Sequence, residues 1–282
     1  MGFVINNNLA ANNSYRSLNN TQNDLSKSLE KLSTGLRINR AGDDAAGLSI
    51  SEGLKSQVTG SAQAARNAQD GISVIQTAEG ALTEVHSILQ RVRDLAVQAG
   101  NDSNNSDART AIKTESDALA DELTRIGNST NFNGTSLLNA KGGTATDGKL
   151  TFQVGAGGVA ANDQIVVDLS GADITAVGTA VKALTFDTAA NAATSITALD
   201  GQIKAVSAER SNIGAVQNRL EHAVKTLNVA GENLQAAQSR IADVDMAQEM
   251  VKFTKANILS QAGTAMLAQA NQSSQGVLSL LR

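Results

Sequence analysis

Two histidines, two short acidic clusters and one glycine run carry the residue types in this chain that suit catalysis or ligand binding. His86 and His222 would make a metal pair if antiparallel helices brought them level, but two ligands do not complete a site. Asp43-Asp44 and Asp243-Val244-Asp245 place carboxylates close together. General acid–base work requires a pocket that drives two carboxyl pKa values apart. Helix capping explains both clusters more simply. A carboxylate at a helix start accepts from unpaired backbone N–H groups and meets the positive end of the dipole. Gly155-Ala156-Gly157-Gly158 lacks the Gly-Lys-Ser/Thr ending of a phosphate loop and opens no helix, so it reads as a hairpin turn. No His-Glu-x-x-His occurs. The Asn-x-Ser/Thr triplets at Asn101 and Asn128 are expected by chance in a chain this rich in Asn. There is no Cys, which excludes disulfides and thiolate metal sites. No catalytic residue, metal or cofactor is expected, and the chain reads as a builder or binder rather than an enzyme.

The elements that carry these residues are long helices. From Leu199 an apolar residue falls on every seventh position: Val206, Ile213, Leu220, Leu227, Leu234 and Ile241 follow in register. That repeat makes a seam for other helices. Aromatics are 2%, with no Trp, which suits helix-on-helix packing by Ala, Leu, Ile and Val. There is no Pro to interrupt a long helix.

Leu18, Leu25 and Leu32 predict a helix with a narrow seam in residues 1–40, with Leu29 and Leu36 also seven apart. A turn at 39–44 precedes a helix over about 43–100, striped by Val74, Ala78, Ala81, Val85, Ile88, Val92, Leu95 and Ala99. Ile72, Ile75, Leu82 and Leu89 give it a second stripe. A shorter helix over about 106–127 repeats Ile112, Leu119 and Ile126. Residues 128–149 read as turns and loop. Alternation at Leu150, Phe152 and Val154, then Ile165, Val167 and Leu169, predicts a β-hairpin over about 150–170. Residues 170–190 are weakly patterned. The long helix over about 190–240 returns antiparallel to the first.

After Ile241 the repeat continues as Val244, Val251, Ile258 and Ala265, offset by three, which predicts a break in the helix. Residues 256–281 carry no charge and mix apolar residues with amides and serines. Such a helix suits burial among copies of itself, where desolvated charge is costly and amides can pair. The expected fold is mainly α, a long antiparallel helical bundle or coiled-coil rod with a small β-hairpin and paired terminal helices. Three parts follow: 1–40, 41–240 and 241–282. The residues expected to drive self-assembly are Leu18, Leu25, Leu29, Leu32, Val244, Val251, Ile258, Leu278, Leu280 and Leu281.

A net charge of −4 with no basic cluster argues against nucleic acid. No stretch approaches eighteen apolar residues, so no membrane span is expected. Residues 1–13 lack the basic and apolar regions of a cleaved signal. That leaves a cytosolic protein, or one exported by a route that reads no cleaved signal.

Five runs carry a resemblance: LEKLSTGLRINRAGDDAAGLSIS from Leu29, RNAQDGISVIQTAEGALTEVHSILQRVRDLAVQAGN from Arg66, NFNG from Asn131, IGAVQNRLEHAV from Ile213, and ILSQAGTAMLAQANQSSQGVLSLLR from Ile258. Together the chain resembles bacterial flagellin, the subunit of the flagellar filament, over nearly its whole length except about 171–190. The resemblance implies a secreted, extracellular structural protein of the flagellum that polymerises with itself for swimming motility. It implies termini that fold into a coaxial helical pair on polymerisation. Residues 1–40 and 241–282 would form the filament core and 41–240 the wall domain, in a minimal form without large outer domains. The partners it implies are other copies, an export chaperone, the filament cap and junction proteins and, for some members, Toll-like receptor 5. The receptor contact of such members is a Gln-Arg-x-Arg-x-Leu segment with a nearby Glu, which falls here on Gln90, Arg91, Leu95 and Glu115. Ser274 stands where similar flagellins often have Pro, which permits a more continuous terminal helix. The alternatives are a hook–filament junction protein and a secreted receptor ligand or adhesin.

Overall fold

The computed structural model describes residues 8–143 and 146–280, with 273–280 described as helical backbone alone. The chain is mainly α: seven helices and two antiparallel two-stranded sheets among the described residues. It divides into two compact units. One gathers residues 1–56 and 233–282, and the other holds 57–232.

In the first unit, α1 (Leu9–Thr34) starts at Asn8, whose side chain accepts from the Ala11 N–H. It ends at Gly35, in the left-handed region at φ 74°, whose N–H returns to the Lys31 carbonyl. Glycine takes that conformation without the steric cost of a Cβ. α7 (Met246–Leu280) starts at Asp245, which accepts from the N–H groups of Ala247 and Gln248. Its helix runs unbroken through position 274. α1 and α7 pack antiparallel: Asn8 donates to the Ala270 carbonyl, Leu18 abuts Gly263, and Ser28 donates to Glu249 at 2.6 Å.

The breaks beside these helices are bonded to each other. The Arg37 N–H donates to the Ala242 carbonyl at 2.7 Å, and the Val244 N–H donates to the Gly35 carbonyl at 3.0 Å. Leu36 and Asp243 thereby form an antiparallel bridge. The Arg37 guanidinium adds a bond to the Ile241 carbonyl at 2.8 Å. The Asp44 side chain accepts from the Gly47 N–H and starts α2 (Ala45–Ala99), while Asp43 accepts from the N–H groups of Asn39 and Arg40. The acidic clusters are therefore caps and turn locks.

In the second unit, α2 and α6 (Ala189–Ala242) run antiparallel, joined by ion pairs Arg210–Glu79 at 2.7 Å and Arg93–Asp200 at 2.6 Å. Ile75, Leu82, Val85, Leu89 and Val92 of α2 share one core with Leu199, Val206, Ile213 and Leu220 of α6. Farther along the repeat, Leu227, Leu234 and Ile241 are half-buried. α3 (Ser106–Ser129), capped by Asn105, adds Ile112 and Leu123 to the core. The expected hairpin is β3 (Lys149–Gln153) paired with β4 (Gln164–Asp168), joined through the one-turn helix α4 (Ala160–Asp163).

Two segments, one expected as turns and loop and the other weakly patterned, contain further elements. Residues 128–149 contain a second hairpin, β1 (Asn131–Phe132) with β2 (Thr135–Ser136), and Leu137 and Leu138 are buried behind it. Asn133 and Gly134 both have positive φ, the requirement of a tight two-residue turn that the Asn-Gly pair signals. Residues 170–190 contain α5 (Ile174–Lys182), capped by Asp173, which buries Ile174 and Val181. α5 lies so close to α3 that a Cβ on Gly178 would come within 2.9 Å of the Ala120 carbonyl. Glycine is what that approach requires.

Glu209 on α6 is buried, and burial pushes its carboxyl above the usual glutamate range. Asp168 pushes the same way, and a bond from Asn212 opposes. The fold therefore prefers the neutral acid. Its stabilisation is present below the unfolded pKa and is lost as pH rises through the raised folded value. Glu209→Gln should melt above the natural protein at pH 7 and converge with it in acid below the glutamate range. Melting curves across pH check this; a gap that persists unchanged into acid contradicts it.

Candidate interaction surfaces

The two faces of α7 differ. Toward α1 it presents Glu249, Ala256, Gly263 and Ala270, seven apart, small after the first. Away from α1 it presents Val251, Ile258 and Ala265, which stay exposed, with Met250 exposed beside them, Met246 exposed at the helix start, and Leu259 and Met266 exposed along the edge that borders α1. Large apolar residues are thus left uncovered on that side, while the covered side alternates these small residues with the half-buried Phe253, Ser260 and Leu267. Val244, in the bonded break before the helix, is half-buried. Met250, Val251, Ile258 and Leu259 line a shallow groove with Thr254 and Lys255. On α1, Leu18, Leu25 and Leu32 are half-buried along the side that meets α7, and Leu29 is exposed. The side chains of Leu278 and Leu280, and Leu281 altogether, lie outside the described residues.

Glu249 is the polar exception in the pairing face. Burial would raise its carboxyl pKa. Hydrogen bonds from Ser28 and Lys252, with the charges of Lys252 and Lys31, outweigh this and hold it below the usual range.

Arg91 of α2 and Glu115 of α3 meet. The guanidinium reaches one carboxylate oxygen through Nε at 3.0 Å and Nη2 at 2.6 Å, and both side chains are exposed. Gln90 is exposed, with its Nε2 3.0 Å from His86 Nε2. Leu95 is only 2% exposed and belongs to the core, because its place in the α2 stripe turns it toward α6 and α3. It can support this surface from beneath but cannot be an apolar contact on it. Arg93, within the same motif, is held by Asp200.

His86 and His222 are not brought together. Leu220 lies level with Gly71, so His222 lies about seventeen residues along α2 from His86, roughly 26 Å at helical rise. Among the described residues no three His, Asp or Glu side chains converge as metal ligands. The glycine run encloses a carboxylate of its own chain. Asp163 accepts from the Val159 N–H at 3.0 Å, and a Cβ on Gly155 would strike Asp163 Oδ1 at 2.0 Å. Gln153 donates to the Gly155 and Gly157 carbonyls. An acidic group in that position repels phosphate.

No described helix is long and apolar enough to cross a membrane. What the chain offers is surface rather than a reaction centre: an exposed apolar face on α7 and a polar patch around Arg91.

Comparison with known proteins gives the context for these surfaces. Residues 5–142 match the model of the bacterial flagellin N-terminal helical region, and residues 196–281 that of the C-terminal helical region. The flagellin of Halalkalibacterium halodurans is 53% identical, covering 99% of this chain and 100% of that protein. The flagellin of Bacillus subtilis is 50% identical, covering 99% of each. Among solved structures, a putative flagellar hook-associated protein from Vibrio parahaemolyticus superposes with a TM-score of 0.57 at 16% identity, over 71% of this chain and 100% of that one. At that identity the likeness is one of fold.

Proposed function

The chain belongs to the bacterial flagellin family, and from that premise we propose how this structural subunit, which is not an enzyme, builds the flagellar filament. It polymerises with copies of itself into an extracellular filament. Residues 1–40 and 241–282 form the filament core, and 41–240 the wall domain. The observation that carries this reading is the exposed apolar face of α7, Met246 to Met266. Ordering the termini costs conformational entropy. Each Leu, Ile or Met covered by a neighbouring copy contributes about 1.5–3 kcal/mol toward that cost. Val251, Ile258, Leu29 and the apolar residues near the chain end, Leu278, Leu280 and Leu281, are the contacts between copies. Leu18, Leu25 and Leu32 hold α1 on α7. Val244 anchors the break between α6 and α7 to Gly35 at the end of α1. A surface that meets a different surface on the next copy generates an open helix.

Export before assembly requires the α7 face to be kept from other copies, which is the role of an export chaperone bound near 250–282. Cap and junction proteins meet the same terminal helices. The full-length flagellin relatives support a filament subunit over a junction protein, whose likeness here is at the level of fold.

Gln90, Arg91 and Glu115 form a second contact surface, supported from beneath by Leu95. It meets the next subunit in the filament and, on free monomer, Toll-like receptor 5. An arginine of this kind is a frequent interface hot spot. Because the Arg91–Glu115 pair is exposed, its loss should cost the fold only about 0–1 kcal/mol. Arg91→Ala should therefore keep its melting temperature, yet lose receptor signalling and seed poorly into filaments viewed by negative-stain microscopy. Undiminished signalling by the monomer variant removes the receptor surface. Failure of the natural protein to elongate seeds removes the filament reading.

A further inference from the structure

The chain has four methionines, and three of them, Met246, Met250 and Met266, lie on α7. They are 49%, 49% and 62% exposed. Met250 lines the groove formed with Val251, Ile258 and Leu259. Met266 lines a second groove with Leu18, Leu259 and Gly263, beside α1. Among apolar side chains an exposed thioether is the one a mild oxidant attacks. Competing targets are scarce, since the chain has no Cys, no Trp and a single Tyr.

We infer that Met246, Met250 and Met266 are separate oxidation sites on α7 through which peroxides control assembly. The inference rests on the reading that this face packs against other copies. A thioether sulfur attacks one oxygen of the peroxide, the O–O bond breaks, and the second oxygen leaves as water. Sulfur is oxidised by two electrons and the peroxide is reduced. The product sulfoxide is polar and chiral where the assembly contact needs an apolar side chain. Burying it without a partner is unfavourable. Oxidised monomer should add to a filament severalfold more slowly, whereas packed methionines are shielded. Methionine sulfoxide reductases of both epimer classes, with a dithiol as reductant, restore the thioether. The dithiol has no target of its own in a chain without Cys.

The test uses full-length monomer treated with hydrogen peroxide, mapped by peptide mass spectrometry and then added to seeds. Expected are sulfoxides at the three positions, severalfold slower elongation, and recovery after reductase treatment. A Met246→Leu/Met250→Leu/Met266→Leu variant should elongate at the same rate before and after peroxide. In intact filaments the three thioethers should oxidise severalfold more slowly than in monomer. Sulfoxide at all three positions with unchanged elongation overturns the proposal, as does equal slowing of the leucine variant or absence of sulfoxide at these positions. The underlying assembly reading fails separately: in that case Val251→Asp/Ile258→Asp monomer, never oxidised, elongates as well as the natural protein.

Discussion

Removal of residues 258–282 should leave a helical monomer that forms no filaments. The deletion takes Ile258, Leu259 and Met266 from the exposed face of α7, and Gly263 and Ala270 from the face against α1. It leaves the Ser28–Glu249 bond, the bridge between Leu36 and Asp243, and every core residue of the 57–232 unit. Loss of assembly without loss of the fold is the expected separation. Circular dichroism should show most of the helix retained. Sedimentation should show a monomer, and seeded reactions should stay clear under conditions in which full-length protein elongates. Filaments of normal appearance from this truncation would mean that the terminal contacts are dispensable.

The second large effect belongs to the seam. Leu220 is fully buried on α6, where a methyl added at Gly71 would lie 3.3 Å from its Cδ1 and 3.2 Å from the Phe152 ring. Three elements, α2, α6 and β3, therefore close on one side chain. Leu220→Ala removes its outer atoms and leaves a cavity that stiff helices cannot collapse around, at about 2–5 kcal/mol. Leu220→Asp should cost more, because its carboxylate would sit against Phe152 and the α2 backbone without a cation. In a unit of this size each kcal/mol moves the midpoint by about 2–4 °C. Thermal and urea unfolding of the monomer report both. A midpoint unchanged in either variant would remove Leu220 from the core.

The helices were legible because their apolar residues repeat without interruption. Leu199, Val206, Ile213 and Leu220 lie in the core, and no Pro breaks the run that contains them. The caps were legible as well, since Asp44 and Asp245 each stand immediately before a helix and accept from its first N–H groups. Periodicity cannot say which of two stripes meets the partner. In α7 the larger residues at Val251 and Ile258 dominate the pattern, yet Ala256 and Gly263 face α1, because small side chains let the two backbones approach. The same limit applies at Leu95, where a motif match cannot tell a surface contact from a core residue one turn from Arg91. α5 was obscured by Thr175, Gly178 and Thr179, poor helix formers that separate Ile174 from Val181. Its signals were Asp173 as cap and the spacing of Ile174, Val177 and Val181.

The bond pair between the breaks at 35–37 and 242–244 ties together the lengths of two stretches some two hundred residues apart. Gly35 and Val244, and Arg37 and Ala242, hold each other in place. The register of α1 against α7 is counted from that point, with Ser28 meeting Glu249 on the far side. One residue inserted in either break would turn its helix by about 100°. Ser28 would then leave Glu249, and the buried carboxylate would keep only Lys252 as donor. A compensating residue in the opposite break could restore the count. A change of length in one break is therefore expected to disrupt the pairing of α1 with α7 unless the other break changes with it.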